Sequence, residues 1–153
     1  MIQRKQTLYL LLAIVLSMVC LSLPVAEIQG DGFDDNMLMT NLFITTGGEE
    51  HISMAPWPMF VLLIATIPVA LASVFLYRRR RLQASLCVFC ILLLLAWYIV
   101  AAVIIYNLQA LDSGTLSPRW TAALPAVCII LYILARRGIM ADEKLVRSLD
   151  RIR

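Results

Sequence analysis

The chain has 153 residues, enough for one compact unit, and 61% of them are hydrophobic while only 15% are charged. A soluble domain is about half apolar and about a quarter charged; here the mean hydropathy is +0.86, and the excess is gathered into runs, which argues against an ordinary water-soluble globule. The net charge of +3 is too small to indicate a nucleic-acid partner, and the basic residues cluster at the ends of the apolar runs.

Apolar runs of about 17–25 residues can cross the hydrocarbon core of a bilayer as helices, and this chain has four, at 7–24, 58–77, 85–106 and 118–135. The expected fold is an all-α membrane protein. It is a four-transmembrane-helix bundle with a short extracytoplasmic β-hairpin in its first loop and a C-terminal amphipathic cytoplasmic helix. The whole chain, 1–153, is expected to form this single membrane domain, with an outer loop at 25–57 and a tail helix at 140–153. The first run opens as a secretory signal would, with Arg4 and Lys5 ahead of apolar residues. Its end does not fit: the best cleavage position, after Ala26, puts Pro24 at −3, a poor match to the small-x-small pattern. Val19 before Cys20 is too bulky for a lipoprotein site. The run is therefore read as an uncleaved first helix.

The outer loop is long for a plain connection and has no Lys or Arg. It holds six acids: Glu27, Asp31, Asp34, Asp35, Glu49 and Glu50. Residues 30–36 have turn composition. The runs MLMTNLFITT and EEHISM flank Gly47 and Gly48, which predicts the hairpin. An isolated hairpin is marginal in water, so this one is expected to rest on the outer helix ends or on a partner. Asp31, Asp34 and Asp35 have calcium-compatible chemistry, but no EF-hand spacing, and solvated loop acids are the better reading. His51 is the only histidine and makes no zinc site alone. No metal or cofactor is expected.

Between the second and third runs lies LYRRRRLQ, with Arg78, Arg79, Arg80 and Arg81 together. Basic residues stay on the cytoplasmic side in short loops. With the N-terminus inside, the segments 1–6, 78–84 and 136–153 hold 12 of the 13 Lys and Arg residues, and only Arg119 falls outside. The arginines thus read as a cytoplasmic turn that sets topology. A second role is contact with anionic lipid headgroups, by Arg78, Arg79, Arg80, Arg81, Arg136 and Arg137. The aromatics agree: Tyr9, Tyr77 and Tyr132 fall near predicted inner ends, and Trp57, Tyr106 and Trp120 near outer ends. Trp97 and Tyr98 are mid-helix and are expected to pack inside the bundle. Pro68 and Pro125 lie inside the second and fourth runs, where proline can kink a helix. Ala122 and Ala126 form a small-xxx-small pair that permits close helix approach.

The tail reads ARRGIMADEKLVRSLDRIR. Gly138 is expected to break the fourth helix and Asp142 to cap a new one. Leu145, Val146, Leu149 and Ile152 then share one face, and Glu143 can pair with Arg147. That face is expected to lie on the membrane surface first, and otherwise to dock on a cytoplasmic partner or on the Arg78–Arg81 turn.

Chemistry has few places to reside. Cys87 and Cys90 form a C-x-x-C pair, a spacing that can cycle between dithiol and disulfide. The pair starts the third run beside the arginine turn, on the side expected to be reducing, and the packing of small apolar cysteines in helices is the plainer reading. The cores of the four predicted spans contain no Asp, Glu, Lys, Arg or His, which a proton-coupled carrier would need, Arg119 lying at the outer end of the fourth; they hold scattered hydroxyls such as Ser17, Ser22, Thr66 and Ser73. There is no internal repeat, P-loop, zinc-protease motif or G-x-S-x-G elbow.

The expected function is that of a non-enzymatic membrane protein that assembles with other envelope components. Its surroundings would be an anionic lipid bilayer, a membrane or cytoplasmic protein partner, and further copies of itself. The alternatives are a thiol oxidoreductase using Cys87 and Cys90, or a small oligomeric channel or lipid-handling protein. The opening MIQRKQTLYLLLA, the central LYRRRRLQASLC and the closing ARRGIMADEKLVRSLDRIR resemble a domain-of-unknown-function family of small four-helix integral membrane proteins from Bacteroidota. The resemblance implies the same architecture in a bacterial cytoplasmic membrane, and it carries no catalytic residue.

Overall fold

In the computed structural model, residues 3–29, 36–46, 52–76, 79–111 and 115–150 are described. They form four α-helices: α1 (Gln3–Ser22), α2 (Trp57–Phe75), α3 (Arg80–Leu111) and α4 (Leu124–Asp150). The five strands are β1 (Ala26–Gln29), β2 (Asn36–Met39), β3 (Ile44–Thr46), β4 (Ile52–Ser53) and β5 (Thr115–Pro118). A 3₁₀ turn, Trp120–Ala123, leads into α4.

Each helix carries a seam of buried residues spaced alternately by four and three, the signature of side-by-side helix packing. On α1 the seam is Gln6, Leu10, Ala13, Ser17 and Cys20; on α2 it is Met59, Leu63, Thr66, Ala70 and Ser73. On α3 it runs through Cys87, Cys90, Leu94, Trp97 and Ala101, and on α4 through Cys128, Tyr132, Ala135, Ile139 and Asp142. Helices adjacent in sequence pack together, and α1 closes the ring against α4. Large apolar residues meanwhile point outward: Leu8, Val15, Ile64, Phe75, Leu92, Ile99, Val103 and Ile130 are all exposed. Three helices, α2, α3 and α4, are long and apolar enough to cross a membrane, and α1 carries a shorter apolar stretch, Gln6–Ser22.

One end of the bundle is closed by a five-stranded antiparallel sheet in the order β4-β3-β2-β1-β5. It is wider than the expected hairpin. MLMTNLFITT is not one extended run but two strands, because the chain turns at Thr40–Phe43: the Thr40 and Phe43 backbones pair at 2.9 Å, and the Thr40 hydroxyl donates to the Phe43 carbonyl at 2.8 Å. The turn drives Asn41 into the bundle. Its amide donates to the Cys20 carbonyl at 2.6 Å, satisfying an end group of α1, and its Oδ1 accepts from the Trp97 indole at 3.0 Å. The fifth strand comes from the α3–α4 connection, and Arg119 at its end pairs with Glu27 on β1. Arg119, the one basic residue set apart from the others by the charge count, thus has an acidic partner. Gly47, Gly48, Glu49, Glu50, His51, Asp31, Asp34 and Asp35 lie outside the described residues.

Two expectations about α4 are corrected. Pro125 is not a mid-helix kink: it sits at the second residue of the helix, where a missing N–H leaves no hydrogen bond broken. Gly138 does not end the helix, which continues without interruption to Asp150, so the described residues of the expected tail helix, 140–150, are part of α4 and not a separate element. Tyr132, near the predicted inner end of the fourth run, is buried against Cys90 inside the bundle.

Removing the Asn41 amide would leave the Cys20 carbonyl and the Trp97 indole N–H unpaired in a buried site. Asn41→Ala should therefore lower stability by about 1–3 kcal/mol, read as thermal unfolding of the purified chain in mild detergent. Asn41→Ala combined with Trp97→Phe should cost little more than Asn41→Ala alone, because the two residues share one bond.

Candidate functional site at the charged end of the bundle

The opposite end of the bundle is knitted by polar side chains from three helices. Gln6 on α1 donates from Nε2 to the Asp142 carboxylate at 2.6 Å, a buried contact. Arg80 on α3 donates to the Asp142 backbone carbonyl at 2.9 Å, and Arg81 pairs with Glu143 at 2.8 Å. Asp142 is therefore an interior hydrogen-bond acceptor on α4, not the cap of a new helix. Gly138, one turn earlier, explains how Gln6 gets there. A Cβ at Gly138 would lie 2.9 Å from Gln6 Cγ, closer than side chains come, and a tight 3.1 Å from its Nε2. The glycine is thus a socket for the glutamine, which is why a residue that usually ends helices sits inside this one.

Beside this clamp, α3 and α4 flank an open cleft of about 550 Å³. Arg81, Arg136 and Lys144 line it with one carboxylate, Glu143, and one hydroxyl, Ser85. Ala84, Val88 and Met140 supply its apolar wall. The α3 residues stand at i, i+3, i+4 and i+7, one face of one helix, and the α4 residues follow the same rule. The balance is three cations to one acid, and that acid is already paired with Arg81. Among the described residues no carboxylate forms an ion pair with Arg136 or Lys144. Such a cleft can hold a small anion by Coulomb attraction and by the planar fork of an arginine.

The arginines named from the sequence thus separate. Arg81 and Arg136 line the cleft, Arg80 ties α3 to α4, and Arg79 and Arg137 are exposed away from it. Arg78 lies outside the described residues. Of the apolar tail face, Leu145 and Val146 are exposed, Leu149 falls within α4, and Ile152 lies outside the described residues. The sequence reading missed Gln6, Gly138, Ser85 and Lys144. The signal was present in the spacing of residues 81–88 and 136–144, but it becomes a cleft only when those two stretches are neighbours.

Cys87 and Cys90 occupy consecutive positions of the α3 seam. Cys87 lies 3.8 Å from the Ser73 hydroxyl and Cys90 lies 3.9 Å from the Thr66 carbonyl, both on α2. Their spacing is that of helix packing, and all four cysteines are free thiols and buried. Cys128 likewise packs across α1, 3.5 Å from the Ala13 carbonyl and 3.8 Å from Ser17. Among the described residues no group of His, Cys, Asp and Glu is arranged to hold a metal ion.

An apolar bundle with a sheet at one end and a basic cleft at the other has the form of a small helical membrane protein. The chain belongs to the domain-of-unknown-function family DUF4293, whose model matches residues 2–152. No curated protein matches it.

Two outcomes follow. Gly138→Ala should destabilise the protein in the native background, because the new methyl displaces Gln6 from Asp142. In a Gln6→Ala background the same change should stabilise by about 1 kcal/mol through helix propensity alone; thermal unfolding in detergent reads this reversal of sign. The four thiols should resist maleimide in the folded protein and all react after denaturation, as counted by intact-mass spectrometry.

Proposed function

We propose that this protein is a four-span component of a bacterial cytoplasmic membrane, with both termini inside, and that it works by assembling with other envelope components. The observation that carries the reading is the distribution of polarity. The seams between helices mix Leu10, Leu63, Leu94 and Ile139 with many small and polar residues, while a large set of Leu, Ile, Val and Phe side chains faces outward. Water would favour the reverse pattern; lipid accepts this one. α1 belongs among the spans although its apolar stretch is shorter. It runs antiparallel to α4 from the Gln6–Asp142 bond at one end to the contact of Cys20 with the Thr121 carbonyl at the other. Wherever α4 crosses, α1 crosses beside it.

The charged end lies in the cytoplasm on this reading, because the basic residues concentrate there and acids concentrate in the sheet loop. Exposed Trp57, Tyr106 and Trp120 at the sheet end fit the outer interface. Recognition falls to the two ends. The sheet edge at β4 and the face bearing Leu145 and Val146 are the surfaces on which envelope partners would dock. The thiol pair, enclosed between α2 and α3, favours packing over redox exchange.

Topology is testable because the native thiols are enclosed. Asp34→Cys should react with a membrane-impermeant maleimide in intact spheroplasts, and Ser148→Cys only after permeabilisation; the opposite pattern refutes the orientation. For assembly, affinity purification from native membranes should compare the intact chain with Leu145→Ser plus Val146→Ser, which leaves the Asp142 clamp in place. Partners lost with the tail face support the reading, and a partner-free bundle in both samples refutes it.

A further inference from the structure

We propose that the cleft between the start of α3 and the second half of α4 binds the phosphate of one anionic glycerophospholipid from the cytoplasmic leaflet. The inference rests on the orientation proposed above and gives the charged end a specific ligand class. Three observations lead to it. The first is the charge: Arg136 and Lys144 converge on the cleft with no ion-paired carboxylate among the described residues, and Ser85 adds a hydroxyl donor. A phosphate ester offers the acceptors that these groups lack, and a guanidinium can hold it through two parallel bonds.

The second is depth. Arg81 pairs with Glu143 at the outermost level, and α3 and α4 run antiparallel, so Arg136 stands level with Val88, two turns deeper along the bundle. From Trp120 to Arg136 the helical path is about 24 Å at 1.5 Å per residue, less than the roughly 30 Å of a bilayer core. Arg136 is therefore held at the border of the hydrocarbon, where phosphodiesters reside and free solutes are scarce. A purely solvated arginine gains nothing from that depth.

The third is the wall. Ala84, Val88 and Met140 line the cleft, and Phe89 and Leu92 continue the same side of α3 toward the sheet end with exposed side chains. This gives an acyl chain a track that starts where the headgroup ends. Inorganic phosphate would use the cations but leave the apolar wall and most of the 550 Å³ unused. Basic pockets between helices on the cytoplasmic side are a recurrent form of anionic-lipid site.

Arg137 supplies the control, since it has the same charge and neighbouring position but is exposed away from the cleft. The experiment uses the full chain in maltoside micelles with dioctanoyl-phosphatidylglycerol or dioctanoyl-phosphatidylcholine, with bound lipid counted by native mass spectrometry. The expected result is one retained phosphatidylglycerol per chain and no retained phosphatidylcholine. Arg136→Gln with Lys144→Gln should weaken retention about tenfold, whereas Arg137→Gln should leave it within about twofold. Equal loss in both variants would show diffuse charge attraction and overturn the site. Displacement of the lipid by millimolar inorganic phosphate or glycerol phosphate would assign the cleft to a free anion and overturn the lipid. If the double variant fails to fold, Lys144→Gln alone, at an exposed position, carries the same comparison. A wrong orientation would appear in the maleimide pattern and leave this binding unchanged, so the two readings fail separately.

Discussion

A bundle whose outer faces are as apolar as its seams cannot use segregation from water to decide which faces meet. Leu8, Ile64, Leu92 and Ile130 point outward, and burying them would be no less favourable than burying the residues that are buried. What distinguishes the inner faces is size and hydrogen bonding. Ala13, Ala70, Ala101 and Ala135 let backbones approach. Ser17, Thr66, Ser73 and the four cysteines interact with the facing helix or their own backbone. Buried polar bonds also sit at the two ends, where Gln6 meets Asp142 and Asn41 meets Trp97 and the Cys20 carbonyl. These end bonds set the axial register of the ring, since sliding one helix by a turn would strand a buried amide or carboxylate.

The two ends solve the same problem differently. At the sheet end the loop itself is inserted: the Thr40–Phe43 turn carries Asn41 between α1 and α3, and the strands follow from that anchor. The Thr121 hydroxyl bonds the Pro24 carbonyl, and Arg119 pairs with Glu27, so the starts of β1 and α4 are joined as well. At the charged end the helices themselves extend. α4 continues as one rod past Arg137, and Gly138 lets it do so while α1 lies against it. That rigid continuation places Lys144 and Glu143 opposite Arg81 and creates the cleft. A broken helix with a free tail, as the glycine first suggests, would have left the arginine turn with no wall facing it.

These arrangements bear on how the protein would work as an envelope component. The described turn at Thr40–Phe43 is seated on the bundle through Asn41, so a partner at the sheet end would meet strands anchored to the helices. At the other end, a headgroup held between α3 and α4 would tie the ring to its leaflet through the same helices that form the Asp142 clamp. Lipid binding and bundle integrity would then be coupled, since Arg80 of the clamp and Arg81 of the cleft are neighbours on α3 that bond Asp142 and Glu143, neighbours on α4.

Much of this was legible in the chain alone. The four apolar runs mark the four helices because a long uncharged run has few other ways to satisfy its backbone. The charge count separates the two ends because charge is costly away from water. The C-x-x-C pair already had the i, i+3 spacing of a helix seam. The seams themselves were harder to read, because the usual signal, an apolar stripe on a polar helix, is missing when both faces are apolar, and the buried stripe differs only in its added small and weakly polar residues. Other features were not in the local sequence at all. Gly138 looks like a helix stop until Gln6, more than a hundred residues away, occupies the space its missing Cβ leaves. Asp142 looks like a cap until that glutamine donates to it. Thr115–Pro118 looks like a plain connection until β1 offers it an edge. Composition and periodicity determined that there would be four helices with one charged end. Only the tertiary structure decided which polar groups meet, because a hydrogen bond between distant residues depends on the relative position of two helices, and no local pattern carries that information.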